Sequence, residues 1–159
     1  EDGSKYHYRG DLRPYLDPYW DMLIAFPPCT HLAGSGARWF PSKRTEQREA
    51  LEFIKTILDA PIRRIAMENP KGIISSKIRK PDQILQPWQF GYGETKALHL
   101  WLKNLPPLSP TEIVSGRVAR SHMVSERWDR WKTRSRTIPP IGEAMAWQWA
   151  GPVELEGSK

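Results

Sequence analysis

Two short apolar runs flank one amphipathic helix, and that order constrains the fold more than any other feature of the chain. Asp21 to Phe26 is largely apolar and is stopped by Pro27-Pro28, the pattern of a buried strand. Between Ser42 and Ala60, the residues Ala50, Leu51, Phe53, Ile54, Ile57 and Leu58 recur at helical spacing. Charged residues fill the other face, and Pro61 stops the helix. Arg64 to Glu68 follows as a second strand, ended by Asn69-Pro70, and Ala97 to Leu102 reads as a third. Strand, helix, strand predicts a right-handed crossover and a parallel sheet, hence an α/β domain. Ile141 to Ala150 is expected to be a last helix, opened by Pro139-Pro140, where proline is tolerated. Residues 71–93 and 104–116 read as ordered loops with aromatic and aliphatic anchors.

With 159 residues the chain suits one domain with a real core, and 15 prolines argue against a helical bundle. The net charge of +6 favours a polyanionic partner, nucleic acid first. A single cysteine excludes an intrachain disulfide and points to a reducing compartment. No apolar run approaches the roughly 20 residues a membrane helix needs, so no membrane partner is expected. Four histidines and one cysteine show no metal-ligand spacing, so no metal is expected. The first residues, Glu1-Asp2-Gly3-Ser4-Lys5, carry neither an initiating Met nor an apolar signal core, and read like the middle of a longer protein.

The chemistry lies where each strand gives way to its loop. The first run leads into Pro27-Pro28-Cys29 and the second ends in Glu68-Asn69-Pro70. In a parallel sheet the loops at the carboxyl ends of neighbouring strands share one edge, where ligands bind. That order brings a lone thiol beside a carboxylate. A thiolate there can act as a nucleophile, and a carboxyl group can hold and protonate a ring nitrogen. The Pro-Pro step fixes the approach to Cys29, and Pro70 keeps Asn69 extended.

These residues resemble a known family. Pro27-Pro28-Cys29 after an apolar strand resembles motif IV of the cytosine-C5 DNA methyltransferases, and Glu68-Asn69-Pro70 is similar to their motif VI, usually Glu-Asn-Val. Thr95 to Trp101, followed by Asn104-Leu105-Pro106, resembles motif VIII of the animal de novo enzymes. Of that motif's Arg-x-Arg only the first cation is kept, in Lys96-Ala97-Leu98. Arg136 to Pro140 resembles motif X, and His7 to Leu12 resembles motif III, whose acid meets the adenine of S-adenosylmethionine. The whole run is most similar to short solitary methyltransferases of phages and prophages, which implies a bacterial cytoplasm.

The resemblance implies a Rossmann-like methyltransferase sheet, mostly parallel, in a single catalytic domain spanning residues 1–159. It implies catalytic roles for Cys29, Glu68, Asn69 and Lys96, with double-stranded DNA as the partner and the target base flipped out of the helix. S-adenosylmethionine is the implied cofactor, with Asp11, Leu12, Pro27 and Pro139 around it. Motifs I and II are missing, so the sheet is expected to lack its N-terminal strand-helix-strand and to be completed by an N-terminal fragment or by self-association. The family's Gln after the nucleophile is replaced by Thr30-His31. Gly34-Ser35-Gly36 then offers a hinge, with Arg38 and Trp39 able to reach DNA.

Positive charge concentrates in Arg117, Arg120, Arg127, Arg130, Lys132, Arg134 and Arg136, interleaved with Trp128 and Trp131. Seven basic residues stand there against Glu126 and Asp129, which accounts for nearly all of the net charge. Residues 110–136 are therefore expected to form a small basic insertion whose phosphate contacts dominate affinity. Two alternatives stay open. One is a nucleic-acid binder without catalysis, or one piece of a split enzyme, favoured by the missing motif I. The other is a tRNA cytosine methyltransferase with the same chemistry.

Overall fold

A computed structural model describes residues 7–115, 117, 118 and 138–150. Four strands form one sheet: β1 (Met22–Ala25), β2 (Arg64–Pro70), β3 (Gln83–Leu85) and β4 (Leu98–Lys103). Among the described residues three α-helices accompany them: α1 (Arg44–Leu58), α2 (Ile74–Lys77) and α3 (Pro139–Met145). A 3-10 segment, Gly34–Ser42, leads into α1, and a π turn, Ala146–Ala150, continues α3. The mixed α/β class matches the expectation from the strand-helix-strand order.

The strand order is β1-β2-β4-β3. β1 and β2 are parallel, with Met22 opposite Arg64 and Ala25 opposite Met67. β4 runs antiparallel to both neighbours, pairing Ile65 with Lys103 and Pro70 with Leu98 on one side and Leu85 with Leu98 on the other. Three strands thus share one direction, but the reversed β4 lies between two of them. The expected mostly parallel sheet is corrected to a mixed one in which one neighbouring pair of three is parallel. The cause is the connection: a parallel neighbour needs a crossover, usually a helix, and residues 86–97 between β3 and β4 hold only turns and a 3-10 piece. The stretch 71–93, expected to be loop, contains α2 and β3. A four-residue helix and a three-residue strand are too short to show a period in sequence.

Side-chain alternation along the strands divides the core in two. Leu23, Ala25, Ile65, Met67 and Trp101 pack under α1 through Ile54 and Ile57. Met22, Ile24, Ala66, Leu98 and Leu100 pack against Ile141, Ala144, Met145 and Trp149 from the C-terminal helix. α1 forms where the periodic apolar residues predict it, with Glu46 in its first turn and Lys55 in its last, each placed to suit the helix dipole. α3 begins at Pro139 itself, since proline at the first helical positions forfeits no hydrogen bond. The wider π turn after Met145 buries Trp149, whose indole N–H donates to the Pro106 carbonyl at 3.0 Å, and leaves Trp147 outside. Arg64 ties the layers by donating to the carbonyls of Asp21 and Trp149. Among the described residues no helix is long and apolar enough to cross a membrane.

Candidate active site

The pairing pattern brings three chain segments to one end of the sheet. Because β1 and β2 are parallel, Phe26 to Cys29 and Glu68 to Pro70 leave at the same edge. Because β4 is antiparallel, it enters at that edge, and the Pro70–Leu98 pair sets Lys96 just before it. The expected catalytic residues Cys29, Glu68, Asn69 and Lys96 therefore lie on segments that meet at one end of the sheet. The reversed β4, which overturns the parallel expectation, is what delivers Lys96.

Cys29 is half-buried, and the turn after it is tight, its carbonyl accepting from the Leu32 and Ala33 N–H groups at 3.0 and 2.9 Å. Asn69, buried at the end of β2, donates through Nδ2 to the Pro27 carbonyl at 3.0 Å. That bond fixes the backbone two residues before the thiol. A second clamp lies just beyond. Gly34 N–H donates to the Lys71 carbonyl and Ile73 N–H to the Leu32 carbonyl, so the loops after β1 and β2 are stitched together. Gly72 makes this approach feasible, since a Cβ there would stand 2.0 Å from the Leu32 carbonyl oxygen. Sequence reasoning missed Gly72. The only signal was a glycine two residues after Pro70, which is common in loops.

Burial dominates the electrostatics of Glu68. Loss of solvent pushes its carboxyl up from 4.5 to about 7, against a smaller opposing pull from the Lys96 charge. Near neutrality this group is divided between acid and carboxylate. Asn69 and Glu68 alternate across the sheet. Asn69 lies on the α1 face opposite His99 of β4, and Glu68 on the other face opposite Leu100. His99 is buried, and burial together with the nearby Lys71 charge holds its imidazole below the usual range. Sequence reading placed His99 on a strand but assigned it no face and no role. Alternation alone cannot choose a face until the partner strand is known.

The remaining expected residues occupy different settings. The Gly34-Ser35-Gly36 stretch forms the first turn of the 3-10 segment, with Gly36 N–H donating to the Ala33 carbonyl. Arg38 and Trp39 project from that segment, both exposed, with the guanidinium 5.0 Å from the indole ring centre. His31, in the turn after Cys29, accepts through its carbonyl from Gln47 of α1. Asp11 is exposed and held by Arg13, which donates through Nε and Nη2 to both carboxylate oxygens. Those hydrogen bonds keep its carboxyl below the usual carboxylate range. Leu12 and Pro139 are exposed, and the carbonyl of buried Pro27 is taken by Asn69. These are the four residues expected around S-adenosylmethionine.

Of the basic segment, Arg117 is described, and its guanidinium stacks 3.7 Å from the Trp88 ring centre. Arg120, Arg127, Arg130, Lys132, Arg134 and Arg136 lie outside the described residues, as does most of the expected insertion 110–136. Its first part runs beside 89–95: Gly91 N–H donates to the Glu112 carbonyl, and Thr95 N–H to the Val118 carbonyl. Arg117 and Val118 therefore stand next to the segment that carries Lys96. No group of three or more metal-ligating side chains occurs among the described residues. No protein-family model matches the chain, and no curated protein matches it.

Proposed function

We propose that the chain is the catalytic part of a cytosine-C5 methyltransferase acting on DNA. The observation that carries the reading is the convergence of Cys29, Glu68, Asn69 and Lys96 on one sheet edge, with Glu68 held near neutrality by burial. A thiol that is to saturate an aromatic C5–C6 bond needs a partner that protonates the ring, because the electron pair displaced from C6 must be accommodated.

The base is flipped into the edge, since its ring atoms are unreachable while stacked. The Cys29 thiolate forms a bond to C6, and the C5–C6 π electrons move through the ring toward N3. Glu68, as the acid, donates its proton to N3, leaving a neutral enamine with nucleophilic carbon at C5. Lys96 lies where its positive charge stabilises the carboxylate that results. Asn69 keeps the Pro27–Cys29 backbone in place throughout. C5 then takes an electrophile and the ring proton returns to Glu68; water accepts the proton from C5, the C5–C6 double bond re-forms, and the Cys29–C6 pair leaves on sulfur as the thiolate. S-adenosylmethionine, the cofactor implied by resemblance, supplies a methyl electrophile when bound. The steps assigned to this chain's own residues are those on the base. Arg38, Arg117 and the basic residues beyond it contact phosphate.

The test needs no methyl donor. Addition at C6 makes C5 exchange its hydrogen with water, so the chain should release tritium from DNA carrying 5-tritiated cytosine. No release above the uncatalysed rate, with DNA bound, overturns the reading. A second reading, a nucleic-acid binder without catalysis, is favoured by the Asp11–Arg13 pairing, and it predicts DNA binding without release.

A further inference from the structure

The Asn69 amide has two ends, and only one is accounted for. Nδ2 donates to the Pro27 carbonyl at 3.0 Å, whereas Oδ1 is buried without a hydrogen-bond partner. Directly across the β2–β4 pair stands His99, whose Nδ1 is likewise buried and without a partner. Asn69 is 1% exposed and His99 6%, so bulk water relieves neither. Register partners on one face of an antiparallel pair hold their Cβ atoms about 5 Å apart, near enough for an imidazole to meet an amide. One orphan is an acceptor, and an imidazole nitrogen can be a donor. Buried polar atoms are almost always paired in folded proteins, so two orphans on cross-strand neighbours are each other's natural partners.

We propose that His99 is a positioning residue for Cys29. Its imidazole, in the Nδ1–H form, donates to Asn69 Oδ1, by a small side-chain rotation or through one shared water. An asparagine amide turned by half a revolution would present oxygen to the Pro27 carbonyl and repel it. A donor on Oδ1 forbids that turn, so His99 holds Nδ2 on Pro27 and thereby holds the turn that carries the thiol. Burial and the Lys71 charge hold the imidazole's proton affinity below the usual range, which favours a neutral ring, and the bond to Asn69 places that ring's proton on Nδ1. The role bears on methyl transfer only through the nucleophile assigned to Cys29 above.

Cys29 is the single cysteine, so alkylation of the folded chain by iodoacetamide reports on its thiol alone. His99→Phe, which keeps a ring but loses the donor, should change the alkylation rate at least threefold. Asn69→Ala should change it by a similar factor, and the double variant should go no further than either alone. His99→Gln restores an N–H donor and should return the rate to within twofold of the parent. An unchanged rate in His99→Phe, multiplying effects in the double variant, or no rescue by glutamine overturns the proposal. Should a variant fail to fold, nitrogen-15 NMR of the parent chain decides, since an Nε2–H form of His99 excludes the bond and an Nδ1–H form upholds it. Coupled alkylation without tritium release sinks the methyltransferase reading and leaves the positioning role standing. Tritium release that ignores His99 removes the positioning role alone.

Discussion

Glu68 and Asp11 are both acids singled out by sequence, and the molecule treats them in opposite ways. Glu68 sits at the end of a central strand, packed on the face that α3 covers, and burial drives its carboxyl up to about 7. Asp11 lies in an exposed segment before β1, and Arg13 drives its carboxyl down. A raised acid holds a proton that it can give to a substrate, at a cost in stability. A lowered one is a committed anion already satisfied by its neighbour. The sheet edge therefore holds a carboxyl that keeps its proton up to near-neutral pH, and residues 7–20 hold one already committed as an anion.

The largest expected effect tests whether the edge does chemistry at all. Cys29→Ala should abolish tritium release from cytosine DNA while DNA affinity stays within about twofold, read by fluorescence anisotropy. Retained release would transfer the nucleophile elsewhere and dissolve the contrast between the two regions.

Glu68→Gln keeps the shape and removes the transferable proton, so release should fall at least about a hundredfold. The same variant carries a stability signature with a definite sign. Between its ordinary value of 4.5 and about 7, Glu68 is protonated in the folded chain and ionised in the unfolded one. The folded state binds the extra proton, so stability contributed at low pH is lost as pH rises through that window. Glu68→Gln should therefore gain on the parent from about pH 4.5 to 7, by roughly 3 kcal/mol at most. Denaturant melts at several pH values measure this, and parallel pH curves for the two proteins would show that Glu68 is solvated.

Gly72 sharpens the comparison from the structural side. A methyl group placed 2.0 Å from the Leu32 carbonyl oxygen forces the two loops apart, so Gly72→Ala should cost on the order of 2–3 kcal/mol. It should also speed Cys29 alkylation, because the turn loses its clamp. A variant as stable as the parent would mean that the loops separate freely.

How far the sequence foretold this arrangement can be judged from the same residues. β1, α1 and β2 were legible because each is bounded by proline and carries a full period of apolar residues. Cys29, Glu68 and Asn69 were placed at one edge by that order alone. The antiparallel β4 was not legible, since a strand's direction depends on its connection, and residues 71–97 show no period long enough to reveal α2 and β3. The face occupied by His99 stayed hidden for the same reason. Gly72 was missed because its requirement comes from the carbonyl of Leu32, far away in sequence. The pairing of Asp11 with Arg13 was not legible, because motif spacing cannot display a guanidinium closing on the carboxylate.

Arg117 tests whether the edge continues into a nucleic-acid surface. Its guanidinium is already stacked on Trp88 beside the segment that carries Lys96. Arg117→Ala should lower the slope of log affinity against log salt by about one for double-stranded DNA, as expected when one phosphate is no longer neutralised. An unchanged slope assigns the stack to surface structure, which would place it with Asp11 rather than with Glu68.

The smallest effect is expected at Asp11 itself. Its bond to Arg13 joins two exposed side chains two residues apart, where water and salt screen the charges. The sign is opposite to that of Glu68: a lowered carboxyl supports the fold above its ordinary value of 3.8 and loses that support as pH falls. Exposure makes the support slight, so Asp11→Asn should melt with the parent at pH 7 and tolerate 0.5 M salt equally well. Tritium release should also be unchanged, because no described contact links Asp11 to the sheet edge. A loss of release approaching that of Glu68→Gln would bring residues 7–20 into the site. The Asp11–Arg13 pair would then be a resting contact that opens when substrate binds.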